Sequence, residues 1–168
     1  GRLSFSPRRE WADVSPAAGT RVTQAHLDTY AEVGTVHVPG VFDPAFVQRL
    51  TTLLDDAIDR LRSGHFVKRT TPDPVFRGIE FEDHDGYVRL VNLMPELPAL
   101  RQAILDSPAA ATVAALIGAT DLRFWLDASF SKMGLARETA TPWHNDECTF
   151  TLQGEHLPSL WIALTDVD

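Results

Sequence analysis

The spacing of His144 and Asp146 constrains this chain more than any other feature of its sequence. Both lie in TPWHND, shortly before the apolar run LWIAL. In an extended backbone, residues two apart project from the same face, so both side chains can reach one metal ion. An imidazole and a carboxylate, together with one further His, form the facial triad that binds non-haem Fe(II) and leaves coordination positions open. The pattern therefore indicates a metal site on an extended segment.

The same His-x-Asp spacing occurs a second time, at His26 and Asp28. This second pair lies between Thr23, a suitable helix N-cap, and Gly34, a suitable helix stop. In a helix, residues two apart are separated by roughly 200° around the axis, so their side chains do not converge on one ion. We therefore expect His26 and Asp28 to lie on a solvated helix surface.

Caps, apolar periodicity and turn residues predict four helices and five strands. The helices are a short one between Thr23 and Gly34, a long amphipathic one from Asp43 to Gly64, and two at 98–104 and 108–117, the last with Ser107 as its N-cap. The strands are 35–38, 79–81, 87–91, 122–132 and 160–164, with Asp85-Gly86 joining the second and third in a hairpin. The acidic cluster at 82–85 is typical of turn residues, and its spacing fits no calcium loop.

Four sequence blocks occur in an order that resembles a known family. They are VGTVHVPGVFDPAFVQRL, ALRQAILDSPAAATVAALIGATDLRFWLDASFSKMG, TPWHND and LWIALTDVD. The combination is similar to the phytanoyl-CoA dioxygenase-like oxygenases, which use Fe(II) and 2-oxoglutarate. The resemblance covers nearly the whole chain apart from residues 1–20 and the variable middle part.

The resemblance implies an α+β fold. Its core would be a double-stranded β-helix (a jelly roll, cupin-like), with N-terminal helices packed on one sheet. We expect a single domain over 1–168, made of an irregular arm at 1–20, a helical and hairpin region at 21–118, and the first barrel strands with the metal motif at 119–168. In the resembling family the second half of the barrel carries a distal His that binds the iron and an Arg that grips the far carboxylate of 2-oxoglutarate. We expect both of these residues beyond residue 168, in a polypeptide that is longer than the present chain.

The resemblance also assigns roles to four residues. It implies that His144 and Asp146 are the catalytic iron ligands, and that Lys132 and Trp161 lie against 2-oxoglutarate. The residues themselves leave an alternative for each of the last two. Lys132 ends an apolar row, so its ammonium either pairs with a carboxylate or extends to water. Trp161 either borders the cosubstrate or packs in the core.

Other polar and aromatic residues near the motif receive no role in the metal site. His37 and His156 belong to or adjoin loops, so neither is assigned as a metal ligand. Trp143, directly before His144, is interpreted as a residue that packs or anchors the loop rather than a catalytic one.

The reaction implied by the resemblance is an oxidation that consumes O2 and 2-oxoglutarate and releases succinate and carbon dioxide. Its usual outcome is hydroxylation of an aliphatic carbon of a small-molecule substrate. Related halogenases lack the carboxylate ligand, so Asp146 argues against halogenation. Two alternatives stay open: desaturation, cyclisation or epimerisation at the same centre, as in natural-product biosynthesis, and a jelly-roll domain that binds a ligand without turnover.

Composition and net charge restrict the kinds of molecule that the protein is expected to bind. A chain of 168 residues with 44% hydrophobic and 23% charged residues is typical of one globular domain. A formal net charge of −8 argues against a nucleic-acid or anionic-membrane surface. The sequence contains no 18-residue apolar run, and its single Cys148 cannot form an internal disulfide, so the cytoplasm is the expected compartment. The expected partner is a small-molecule substrate, and the oligomeric state stays open.

Overall fold

The computed structural model of the protein describes residues 20–65, 79–84, 86–132, 141, 144 and 156–167. Within these residues it contains four helices and one three-stranded antiparallel sheet, which confirms the α+β class. In chain order the elements are α1 (Gln24–Val33), α2 (Pro44–Arg62), β1 (Glu80–His84), β2 (Tyr87–Val91), α3 (Pro98–Leu105), α4 (Ala109–Ile117) and β3 (Ala128–Lys132). No helix among the described residues is long and apolar enough to cross a membrane.

Helix α1 begins after Thr23, the predicted N-cap, and the cap is a capping box. The Thr23 hydroxyl accepts the amide hydrogen of His26 at 3.4 Å, and Nδ1 of His26 accepts the amide hydrogen of Thr23 at 3.1 Å. Asp28 accepts a hydrogen bond from the side-chain amide of Gln24 at 2.8 Å. The helix ends at Gly34, whose φ of 75° is left-handed. The second His-x-Asp pair is thus part of an exposed helix and its cap, as predicted.

Helix α2 buries one face against the sheet. Asp43 caps its N-terminus by accepting the amide hydrogen of Phe46 at 2.7 Å, and Pro44 occupies the first turn. The buried positions recur at helical spacing, at Phe46, Leu50, Ala57 and Leu61. These residues share one hydrophobic core with Val88 and Leu90 of β2. Helix α2 therefore covers the face of the sheet to which Val88 and Leu90 belong.

The register of the sheet places a second set of side chains on its other face. Strands β1, β2 and β3 pair antiparallel in that order. Directly paired residues project from the same face. One row of pairs is Glu82–Arg89–Phe130 and the next is His84–Tyr87–Lys132. All six are partly or fully exposed, and we call these two rows the open face of the sheet.

A turn after β2 is held by Asp127, the residue before β3. The amide hydrogen of Asn92 is donated to the Asp127 carbonyl at 2.9 Å. The Asp127 carboxylate accepts the amide hydrogens of Leu93 at 2.8 Å and Met94 at 3.0 Å. Asn92 adopts a left-handed φ of 69°, a conformation that asparagine tolerates better than most residues. These bonds fix where β3 begins relative to the end of β2.

Four strand predictions were wrong in whole or in part. The strand expected at 79–81 extends from Glu80 to His84, so Glu82 and Asp83 belong to β1 and not to a turn. Residues 35–38 and 160–164 form no strand, and in 122–132 only Ala128–Lys132 does. A strand requires a neighbouring backbone with which to exchange hydrogen bonds, and no partner is assigned to these segments within the described residues. The segment 160–164 still alternates, since Ile162 and Leu164 pack against the core and Trp161 does not.

The start of α4 also differs from its prediction. The helix begins at Ala109, with Pro108 at the cap position and no side-chain cap. The Ser107 hydroxyl instead donates to the carbonyl of Ile104 in α3 at 2.7 Å and accepts the amide hydrogen of Ala109 at 3.2 Å. Ser107 therefore links the two helices rather than capping α4 alone. The helix ends at Gly118 with a φ of 65°, as predicted.

Candidate functional site

Lys132 lies at the end of β3 and reaches across to the segment that carries the His-x-Asp motif. Its Nζ donates a hydrogen bond to Oγ1 of Thr141 at 2.7 Å. Thr141 precedes His144 by three residues, so the two Cα atoms are at most about 11 Å apart. The bond therefore brings Thr141 to the end of the open face, with His144 three residues further along the chain. The bond connects the end of β3 to Thr141, which are separated in the sequence by residues 133–140.

The other cation of the open face is already paired. Arg89 Nη1 contacts Oε1 of Glu80 at 2.8 Å and Oε1 of Glu82 at 2.7 Å. Burial lowers the pKa of Arg89, but hydrogen bonding and charge attraction to the two glutamates outweigh it, so the pKa is raised overall. The guanidinium is therefore tied within the sheet and stays positively charged.

Lys132 differs from Arg89 in the kind of partner it has. The hydrogen bond to Thr141 joins the ammonium to a neutral hydroxyl, which does not compensate its charge. Within the described part of the chain, no carboxylate forms an ion pair with Lys132. Of the two cations on the open face, Lys132 is thus the one whose charge can be neutralised by an anionic ligand.

Tyr87 lies directly opposite Lys132 in the register of the sheet. Its ring is 5.4 Å from the ring of His84, the third member of that row. Burial raises the pKa of the Tyr87 phenol, the negative charge of Glu82 raises it further, and Arg89 opposes both. Tyr87 therefore presents a neutral hydroxyl and an aromatic surface next to the ammonium.

The predicted site residues are described to different extents. His144 is exposed, three residues from Thr141, whereas Asp146 lies outside the described residues, as do Trp143 and Cys148. The convergence of His144 and Asp146 on one ion therefore stays a prediction. Trp161 is 70% exposed, so it does not pack in the core as one alternative had it. His156 is also exposed and belongs to the described segment 156–167.

Two residues of the acidic cluster at 82–85, Glu82 and Asp83, lie in β1 and pair with cations of the protein. Asp83 pairs with Arg62 of α2, with Nε and Oδ2 2.8 Å apart, and Glu82 pairs with Arg89. The hydrogen bond to Asp83 is the main reason why the pKa of Arg62 is raised. Among the described residues, no group of three or more His, Cys, Asp or Glu side chains could hold a metal ion. Glu82 and Asp83 therefore have arginines as partners in this structure.

Sequence reasoning missed three residues of this region, namely Tyr87, Arg89 and Thr141. The alternation in YVRLV could have placed Tyr87 and Arg89 on one face of β2. Their position beside Lys132 depends on the pairing of β2 with β3, which the sequence does not specify. Thr141 gives no signal in the sequence, because its role depends on how the chain returns after β3.

A cleft elsewhere on the molecule is separate from these residues. It has a volume of about 620 Å³ and lies beside the N-terminus of α2. Arg21, Phe42, Arg49 and Ser107 are among the residues that line it, and none of the candidate site residues does. The cleft therefore does not contribute to the candidate site.

The family model for phytanoyl-CoA dioxygenase (PhyH) matches residues 30–168, well over half of the chain. The chain belongs to the phytanoyl-CoA dioxygenase family. The resemblance drawn from the four sequence blocks is thus confirmed. Members of this oxygenase family generally use Fe(II) and 2-oxoglutarate. Neither the curated proteins nor the solved structures contain a match.

The donor chemistry of the candidate site fits the requirements of that family. His144 supplies an imidazole, and the Asp two residues later supplies a carboxylate, which are two of the three ligand types of the facial triad. Lys132 supplies a cation without a carboxylate partner among the described residues, which suits a dianionic keto acid. The residues present therefore fit both an Fe(II) ion and 2-oxoglutarate.

Proposed function

We propose that this protein is a non-haem Fe(II)/2-oxoglutarate-dependent oxygenase that hydroxylates an aliphatic carbon of a small-molecule substrate. The observation that carries the proposal is the bond between Lys132 and Thr141. It joins a cation that has no carboxylate partner among the described residues to Thr141, which precedes His144 by three residues. Membership of the phytanoyl-CoA dioxygenase family gives this arrangement its chemistry.

The sheet agrees with a place in the first half of a jelly roll. A jelly roll packs two antiparallel sheets face to face, and their inner faces enclose the core or a ligand. Helix α2 covers the face with Val88 and Leu90, whereas the open face carries mainly polar and charged side chains, all partly or fully exposed. We infer that the open face is turned towards the interior of the barrel, where the cosubstrate binds.

Each candidate residue has a separate part in the proposed site. His144 and Asp146 hold the metal, together with one further His that completes the triad, and leave positions for the keto acid and O2. Lys132 binds a carboxylate of 2-oxoglutarate through a charge-assisted hydrogen bond. Trp161, which is largely exposed, borders the cosubstrate. Bound Fe(II) and 2-oxoglutarate supply oxygen activation coupled to the loss of carbon dioxide.

Arg89 is not expected to bind the cosubstrate, because its guanidinium is already engaged. Its two contacts with glutamates hold the guanidinium along the sheet, so it does not compete with Lys132 for an anion. The open face thus offers one position where a carboxylate gains a charged partner without displacing an existing ion pair. This arrangement favours a single orientation of the cosubstrate.

The test combines metal binding with product release. The protein is loaded with Fe(II) without oxygen, 2-oxoglutarate is added, and the visible absorption of the chelated keto acid is recorded. Oxygen is then admitted and succinate is measured. We expect the absorption band and succinate from the wild-type protein, and neither from His144→Ala. The matched control is His26→Ala, which removes the other His of a His-x-Asp pair and leaves both signals unchanged.

Two results would contradict the proposal. Iron and keto-acid binding without any succinate would indicate a binding domain rather than an oxygenase. Full activity in His144→Ala would place the metal elsewhere. Where succinate forms, the fate of the substrate separates hydroxylation from desaturation, cyclisation and epimerisation, because only hydroxylation leaves an added oxygen atom in the product.

A further inference from the structure

The Thr141 hydroxyl is used differently from the threonine hydroxyls inside the described helices. It accepts a hydrogen bond from the Lys132 ammonium at 2.7 Å. A hydroxyl has one proton to donate besides its acceptor sites, and within the described residues that of Thr141 is donated to no protein group. Four threonines of the helices, by contrast, donate to the carbonyl four residues back: Thr29, Thr51, Thr52 and Thr112.

The bond creates a compact set of donors. The Lys132 ammonium has three N–H groups, of which Thr141 accepts one, and the other two have no acceptor among the described residues. The Thr141 O–H lies at the same place, because its oxygen is 2.7 Å from Nζ. A carboxylate has two oxygens and about four acceptor positions, so it can take hydrogen bonds from the ammonium and the hydroxyl together.

The two carboxylates of 2-oxoglutarate are not equivalent for such a site. The one next to the keto group would bind the metal, which would compensate its charge. The distal carboxylate requires a partner from the protein. Its remaining acceptor positions are sufficient for an additional Arg besides Lys132 and Thr141.

We propose that Thr141 is a cosubstrate-binding residue, whose hydroxyl donates to the distal carboxylate of 2-oxoglutarate while it accepts from Lys132. The inference rests on the proposed function and extends it to a residue that has no part in the His-x-Asp motif. Thr141 has two effects: it adds a hydrogen bond to the carboxylate, and it fixes the ammonium at the place where the carboxylate binds.

The experiment compares two keto acids on variants of one residue. Thr141→Val removes the hydroxyl at nearly constant shape, and Thr141→Ser retains it. Dissociation constants for 2-oxoglutarate and for 2-oxobutyrate, which lacks the distal carboxylate, are measured by calorimetry on the metal-loaded protein without oxygen. Thr29→Val is the matched control, since Thr29 lies on the exposed surface of α1.

We expect Thr141→Val to weaken 2-oxoglutarate binding about ten-fold, since a hydrogen bond to a charged group is lost. Thr141→Ser should stay within about three-fold of the wild type, because its hydroxyl can make the same bond. Neither variant should change the affinity for 2-oxobutyrate, and Thr29→Val should change neither ligand. If Thr141→Val does not fold, Thr141→Ala replaces it in the same comparison.

Three outcomes would overturn the inference or the proposed function on which it rests. Equal losses for both keto acids would show that Thr141 acts on the metal segment rather than on the distal carboxylate. An unchanged affinity in Thr141→Val, with Lys132→Ala impaired, would remove Thr141 from the site and leave the proposed function intact. A wild-type protein that binds no 2-oxoglutarate would reject the proposed function and this inference together.

Discussion

Asp127 and Leu93 are 34 residues apart in sequence, yet the Asp127 carboxylate accepts the Leu93 amide hydrogen at 2.8 Å. Its other oxygen accepts the amide hydrogen of Met94 at 3.0 Å. Leu93 and Met94 are 0% and 5% exposed, so neither amide can turn to water instead. One carboxylate therefore holds the turn after β2 and the start of β3 together.

Asp127→Ala should destabilise the protein by about 2–4 kcal/mol, because it leaves two buried amide donors without an acceptor. The measurement is the free energy of unfolding in urea. Asp121→Ala serves as the control, since Asp121 is exposed and its change should stay within about 0.5 kcal/mol. A loss below about 1 kcal/mol in Asp127→Ala would mean that the turn has another source of stability.

His144→Ala and Asp146→Ala should each abolish iron binding and change the thermal midpoint little. The reason is that ligand residues belong to the site rather than to the core, and His144 is exposed. Iron bound per chain is measured after anaerobic loading and removal of excess metal. His26→Ala should bind iron as the wild type does, because His26 is engaged in the cap of α1. Loss of iron in His26→Ala alone would refute the placement of the site.

Lys132→Ala should weaken 2-oxoglutarate binding roughly ten- to hundred-fold, since a charge-assisted hydrogen bond contributes about 1.5–3 kcal/mol. The measurement is the dissociation constant of the metal-loaded protein without oxygen. Arg49→Ala is a suitable control, because Arg49 is an exposed cation of α2 whose guanidinium lies over the Phe46 ring. An unchanged constant in Lys132→Ala would return Lys132 to the alternative in which its ammonium only extends to water.

The helices could be predicted because their signals are local. Thr23 and Asp43 each bond an amide three residues ahead, and Gly34 and Gly118 adopt left-handed conformations that a helix end favours. Each of these interactions is complete within a few residues of sequence. The hairpin of β1 and β2 belongs to the same class, since its two strands are adjacent in the chain.

The strand predictions at 35–38 and 160–164 were wrong because a strand depends on interactions that are not local. Alternating or apolar residues show that a segment can be extended, but the hydrogen bonds of a strand come from a partner elsewhere in the chain. Segment 160–164 illustrates this, because Ile162 and Leu164 pack against the core although no strand is assigned there.

The candidate site could also be predicted only where its signal is local in the sequence. Lys132 could be singled out because it ends an apolar row, and the structure finds its partner in a neutral hydroxyl. Thr141 could not, since nothing in the sequence specifies where the chain returns after β3. Tyr87 and Arg89 became neighbours of Lys132 only through the register of β2 with β3.

Tyr87 makes the open face sensitive to alkaline pH. Burial raises the pKa of its phenol above the ordinary value of 10.0, and the charge of Glu82 adds to this. The unfolded chain therefore loses the phenolic proton at a lower pH than the folded protein does. The contribution of Tyr87 to the free energy of unfolding is fully present below pH 10.0, and it is lost as the pH rises through the pKa of the folded state.

The chain has two tyrosines, so the ultraviolet absorbance of wild type minus Tyr87→Phe isolates the Tyr87 phenolate. We expect its midpoint above pH 10.0 and a smaller alkaline loss of stability in Tyr87→Phe than in the wild type. A midpoint at or below pH 10.0 would show that partial burial does not raise the pKa of Tyr87 in the folded protein.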